Sequence, residues 1–147
     1  MYFDDFEVGY RFETPVRALS ESEIMDYARV YDPQPFHIDP EAAARSIYGG
    51  IIASGLQTCA VAFALTLKAD VFNEASMGSP GMDRIRWLKP VRPGDLIGVT
   101  GEVTEITRSA SRPDRGRIVI DYTVTNQTGE VVLTYAITHL LRRRPGI

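Results

Sequence analysis

The sequence is poor in the residues that most often announce a chemistry. It has one cysteine, Cys59, one tryptophan and two histidines. A lone cysteine rules out an internal disulfide framework and fits a reducing, cytoplasmic compartment. With one cysteine and two histidines there is no cluster at metal-ligand spacing, so no metal is expected. There is no glycine loop of the nucleotide-binding type either. Charge of one sign is also scarce: the formal net charge is only −3. The basic run Arg142-Arg143-Arg144 is followed by Pro145 and Gly146 and reads as a solvated tail, so nucleic acid is not implied. The opening MYFDDFEVGY has neither a basic start nor an apolar run with a cleavage site, and no signal peptide is expected. The uncharged apolar stretch Ile51 to Leu67 is shorter than the roughly 18 apolar residues of a bilayer span. Ser54, Gln57 and Thr58 also interrupt it, so no membrane is expected.

What is present is the composition of one globular domain. At 147 residues, 44% hydrophobic and 24% charged, the chain is expected to fold as a single domain over 1–147. Ile51 to Leu67, IIASGLQTCAVAFALTL, organises the rest. Alanine and leucine dominate after its first residues, which favours a helix over a strand. A helix apolar on nearly every side must be enclosed, and a curled antiparallel sheet would enclose it. The later chain supplies that sheet. Met82 to Lys89, Leu96 to Thr107, Arg117 to Thr125 and Val131 to Leu141 read as strands, separated by turn signals at Pro90 to Asp95, Ser109 to Gly116 and Asn126 to Glu130. Upstream, a short strand is expected over Arg11 to Val16. The Ser20…Glu23 capping box starts a helix from about Glu21 to Val30. Pro33, Pro35 and Pro40 make Tyr31 to Pro40 a stiff irregular loop. Asp39 then caps a short helix reaching about Ser46. Helices early and strands late make the class α+β, with a mainly antiparallel sheet.

Few side chains are available for catalysis. His37 sits in the proline-stiffened loop with Asp32, and a carboxylate and an imidazole held in fixed geometry can divide acid and base roles around one water. The plainer reading is that Asp32 turns the loop and His37 is a surface residue. His139 shares a strand face with Leu133, Tyr135, Ile137 and Leu141, which suits a packed structural histidine. Cys59 within the apolar helix is better explained as a small hydrophobe than as a nucleophile. Ser54 lacks a nucleophile elbow, because Ile52 stands where the first glycine would be. Asp39 is explained by its cap. Arg84, Arg86, Lys89 and Arg92 would suit phosphates, or would simply solvate a strand edge.

Three segments, Asp32-Pro33-Gln34-Pro35-Phe36-His37-Ile38-Asp39-Pro40, Gly49-Gly50-Ile51-Ile52-Ala53-Ser54-Gly55 and Leu88-Lys89-Pro90-Val91-Arg92-Pro93-Gly94-Asp95, together resemble the MaoC-like acyl dehydratases, relatives of the (R)-specific enoyl-CoA hydratases. The resemblance covers nearly the whole chain. It implies the hotdog fold, a long central helix wrapped by a curved antiparallel sheet. The family loop usually reads Asp-x-Asn-Pro-x-His, so the catalytic pair is carried over to Asp32 and His37. The backbone N–H of Gly55 is carried over as the donor facing the thioester carbonyl, where a helix N-terminus stabilises a developing enolate. Gln34 replaces the usual Asn, and Ser54 stands where many members have His. Gln34, Phe36, Ser54, Arg84 and Arg86 are the substrate-binding candidates.

The implied activity is that of a carbon–oxygen lyase, interconverting a 2-enoyl thioester and the (R)-3-hydroxyacyl thioester. It needs no resident cofactor, since coenzyme A or an acyl carrier protein serves as the substrate's carrier. Two other readings remain, a hotdog-fold acyl-CoA thioesterase and a non-catalytic acyl-binding module. A single curved sheet leaves edges exposed, and in the family two sheets join, so a homodimer or higher homo-oligomer is expected.

Overall fold

The computed structural model describes residues 1–146. Helix α1 covers Glu21–Tyr31 and starts at the expected capping box: Ser20 Oγ accepts from the Glu23 N–H at 3.2 Å, and the Ser20 N–H donates to Glu23 Oε1 at 3.4 Å. It ends at Asp32, because a residue before proline is driven out of the helical region and Pro33 follows. Asp32 is accordingly non-helical, at φ −156° and ψ 68°, while its N–H still closes on Ala28 O.

The proline-rich stretch is less irregular than its composition suggests. Pro35–Ile38 form one helical turn, α2, with Pro35 at its first position, where the missing N–H leaves nothing unsatisfied. Helix α3, Pro40–Ala44, begins at Asp39 as expected: Oδ1 accepts from Glu41 N at 3.0 Å and Ala42 N at 3.3 Å. It stops at Ala44, short of Ser46, whose Oγ turns back to Ala43 O.

The central helix, α4, runs Gly55–Lys68, so the expected start at Ile51 is corrected. Ile51, Ile52 and Ala53 lie outside it, with Ile52 N–H on Phe36 O and Ala53 N–H on Val91 O at 2.8 Å. Ser54 is the boundary, because its Oγ accepts from Leu56 N and so replaces the carbonyl that an earlier turn would have supplied.

The strands are β1 Arg11–Glu13, β2 Arg17–Ala18, β3 Gly81–Trp87, β4 Leu96–Arg108, β5 Arg115–Thr125 and β6 Val131–Arg142. All pairings are antiparallel, in the order β1-β4-β5-β6-β3, with β2 also on β4. The single strand expected over Arg11 to Val16 is divided, and Pro15, which lacks an N–H, lies in the gap. Alternation decides the faces. Ile118, Ile120, Tyr122 and Val124 of β5 join Leu133, Tyr135, Ile137 and Leu141 of β6 in the core with Ala62 and Leu65 of α4. Asp121 and Thr123 are on the other face, half-exposed. Gly101 of β4 is a close approach, since a β-carbon there would meet the Phe12 ring.

His139 is the structural histidine its strand position implies. Its Nε2 lies 2.7 Å from Tyr122 Oη and its ring packs on Phe72, with burial holding the imidazole pKa down at about 4. Cys59 is half-buried and its thiol is pushed up by that burial, which suits a small hydrophobe.

Enclosure of α4 is partial. Gln57, Thr58, Ala62, Leu65 and Thr66 are buried, whereas Leu56, Ala60, Phe63 and Ala64 are exposed. The two threonines on the buried side bond the preceding turn, as where Thr66 Oγ1 donates to Ala62 O at 3.0 Å, and Gln57 Nε2 donates to Glu23 O of α1 at 3.2 Å. One curved sheet covers one side of a helix, so the uniformly apolar sequence leaves a bare face on the other. Strand β3 is a sheet edge and bears exposed Met82 and Trp87, the latter against Gly55 at the start of α4. No helix among the described residues is long and apolar enough to cross a membrane.

Candidate active site

Three backbone facts converge on one cleft: α1 ends at Asp32, α2 presents His37, and α4 starts at Gly55. His37 is almost fully buried, and its Nδ1 is 2.7 Å from the Ile52 carbonyl oxygen. A carbonyl can only accept, so Nδ1 carries the proton. That leaves Nε2 facing Asp32 Oδ2 at 3.3 Å.

The carboxylate is held from two further sides. Gln34 Nε2 donates to Oδ1 at 2.7 Å and Ser54 Oγ donates to Oδ2 at 2.7 Å. Burial alone would raise the Asp32 pKa, but the hydrogen bonds from Ser54 and Gln34 lead the effects that outweigh it and hold the group below the ordinary carboxylate range. Asp32 is therefore ionised at neutral pH.

Gly55 is the first residue of α4, and N–H groups at that position point out of the helix end. Leu56 N is capped by Ser54, while the Gly55 N–H has no acceptor among the described residues. Asp32, His37 and Gly55 line the same cleft, of about 510 Å³, with apolar walls that include Phe36, Trp87 and Val91. An ionised carboxylate, an imidazole whose Nε2 faces it and an open helix-terminal amide thus share one cavity. That arrangement can move a proton beside a polarised carbonyl.

The substrate-binding candidates divide. Gln34 and Phe36 line the cleft, and Phe36 stacks edge-on against His37 with ring centroids 4.6 Å apart. Ser54 is fully buried behind Asp32 and does not line it. Arg84 and Arg86 lie elsewhere in the protomer. Arg84 sits at the β3 bulge with φ 54° and pairs with Asp121 at 2.9 Å, and Arg86 turns back onto Ile85 O. The cation lining the cleft is Lys89, paired with Glu130. Two lining residues carried no signal strong enough to be singled out. Tyr48 lies in an unpatterned stretch, and Trp87, the sole tryptophan, was legible only as a strand residue. Among the described residues no three His, Cys, Asp or Glu side chains are grouped to hold a metal ion.

A helix backed by an antiparallel sheet with such a cleft at its N-terminus defines a hotdog-fold protein. A double-hotdog protein from Mycobacterium tuberculosis shares the fold at 21% identity and TM-score 0.86, over 100% of this chain and 46% of that one. More narrowly, the chain belongs to the MaoC-like dehydratase family: residues 5–127 match the model of the MaoC-like domain. The uncharacterized protein YdeM of Bacillus subtilis is 30% identical over 97% of this chain and 100% of its own length. A MaoC-like dehydratase from Rhodospirillum rubrum superposes at TM-score 0.92 with 36% identity, covering 99% of each chain. The unliganded R-hydratase PhaJ1 from Pseudomonas aeruginosa superposes at TM-score 0.74 with 25% identity, over 97% of this chain and 86% of that one.

Proposed function

We propose that the protein hydrates a 2-enoyl thioester to the (R)-3-hydroxyacyl thioester and catalyses the reverse dehydration. The observation that carries this is the Asp32–His37 pair at 3.3 Å beside the open Gly55 amide in one cleft. With the imidazole proton on Nδ1, Nε2 and Oδ2 are both acceptors. A water donating one hydrogen to each has its oxygen lone pairs free to attack C3. The pair takes one proton from that water as the C3–O bond forms, and the electrons of the double bond move onto the thioester oxygen, where the Gly55 N–H receives the charge. A proton returned from the pair to C2 on the same face completes a syn addition and restores the starting protonation. No resident cofactor takes part. Coenzyme A or an acyl carrier protein carries the acyl group, and the similarity to an R-hydratase supports the (R) product.

The active species is a homodimer or higher homo-oligomer in the cytoplasm. The bare α4 face of Leu56, Ala60, Phe63 and Ala64 and the β3 edge of the sheet support the assembly.

The test is to offer crotonyl, branched and dicarboxylic enoyl thioesters to the purified protein, follow loss of enoyl absorbance, and resolve the product on a chiral column. Hydration to an (R) product is expected. Release of free thiol without hydration, or an (S) product, overturns the assignment.

A further inference from the structure

We propose that Ser54 is a positioning residue, whose hydroxyl ties the Asp32 carboxylate to the N-terminus of α4 and so holds the acid–base pair and the Gly55 amide in one fixed frame. This rests on the hydratase reading above. A serine hydroxyl has one proton to give and lone pairs to receive. The carboxylate only accepts, so at 2.7 Å the proton of Ser54 is committed to Asp32 Oδ2, while its oxygen accepts the Leu56 N–H at 3.3 Å. The side chain is completely buried, which leaves it no contact with an acyl thioester. Its effect must pass through the groups it holds.

Those groups are the ones whose mutual placement matters. Oδ2 is also the oxygen that faces His37 Nε2, and Oδ1 takes Gln34. With a donor on each oxygen the carboxyl plane cannot rotate without breaking a charge-assisted bond. Asp32 needs such a tether, because it follows the last turn of α1 in a non-helical conformation. Displacing a reacting group by about 1 Å can cost about 10²-fold in rate. The titratable groups near the carboxylate are His37 on α2 and Tyr27 on α1, whose hydroxyl is pushed up by burial and by the neighbouring charges of Tyr31, Asp32 and Cys59. Lys89 and Tyr48 line the same cleft, Lys89 being paired with Glu130.

Three variants separate the tether from the helix cap. Ser54→Ala removes both. Ser54→Gly removes the tether but remains a good cap. Ser54→Thr keeps a hydroxyl for both partners. In the glycine and alanine variants kcat is expected to fall about 10- to 100-fold, the worth of one hydrogen bond to a charged group, with KM little changed. The acid limb of the kcat–pH profile moves to higher pH, as does the titration of the Asp32 carboxyl carbon followed by NMR. Threonine restores all three readouts. An unchanged acid limb and an unchanged Asp32 titration in folded Ser54→Gly overturn the proposal, as does a raised Asp32 titration with wild-type kcat. The carboxyl titration needs no turnover. A wild-type protein that hydrates no enoyl thioester therefore sinks the hydratase reading alone, and Asp32 titrating identically in wild type and Ser54→Gly sinks the tether alone.

Discussion

The indole of Trp87 lies against Gly55, with its Cε2 2.6 Å from the position a β-carbon on that residue would take. A β-carbon at the start of α4 would thus meet this ring as well as any ligand approaching the amide. In Gly55→Ala the methyl lands on the indole, and Trp87, which is 50% exposed, swings outward. Alanine is about 1 kcal/mol better than glycine within a helix, which offsets part of the crowding. The melting temperature is expected to change little, while the rate falls by at least about tenfold, since losing an oxyanion donor outright costs about 10²- to 10³-fold. Trp87 is the sole tryptophan, so its fluorescence reports the displacement directly. Alanine keeps the backbone N–H, so wild-type activity in this variant refutes the close-approach role assigned to Gly55.

Asp32→Asn and His37→Gln should each nearly abolish hydration. A positioned acid or base is worth about 10²- to 10⁴-fold, so each change raises the barrier by about 3 to 5 kcal/mol. Asp32 is exposed enough for Asn to be accommodated, but His37 is buried and bonded to Ile52 O, so His37→Gln is expected to melt somewhat lower. Purified variants assayed after thermal melts give the comparison, and full activity in either folded variant refutes the mechanism.

Stability should weaken on mild acidification because of His139. Burial lowers its folded pKa from 6.5 to about 4, so between those values the unfolded chain binds a proton that the folded chain does not. Stability is then lost as pH falls through that window, by up to about 3 kcal/mol below pH 4. Urea unfolding at pH 7 and pH 4.5 measures it. His139→Gln keeps a partner for the Tyr122 hydroxyl without titrating, and should flatten the difference.

Phe63 is 41% exposed on the bare face of α4. If that face meets a second copy, Phe63→Glu places a carboxylate in an apolar contact without disturbing the protomer core. Light scattering at micromolar concentration is expected to show a dimer or larger for the wild type and a monomer for Phe63→Glu. A monomeric wild type refutes the assembly.

Local rules acting on neighbouring residues made much of the protein legible before any coordinates. The capping box at Ser20 and Glu23, the Asp39 cap and the β5–β6 alternation depend on side chains a few positions apart, and each lies where its pattern indicates. Boundaries were less secure where a polar side chain competed with hydrophobic periodicity. Ser54 started α4 later than the apolar run began, and Pro35 seeded a helical turn inside a stretch read as loop.

The composition of Ile51 to Leu67 determined that a helix would be buried, but not which side would stay bare, because that depends on how far one curved sheet reaches around it. The motif named Asp32, His37 and Gly55, yet only the tertiary structure joined Ser54 to Asp32 and Trp87 to Gly55. It also separated Lys89, lining the cleft, from Arg84, committed to Asp121 on the outer face. Strand alternation assigns a residue to one of two faces, and a bulge such as that at Arg84 shifts the alternation. Hydrogen bonds and close approaches between residues distant in sequence exist only once the chain has folded them together.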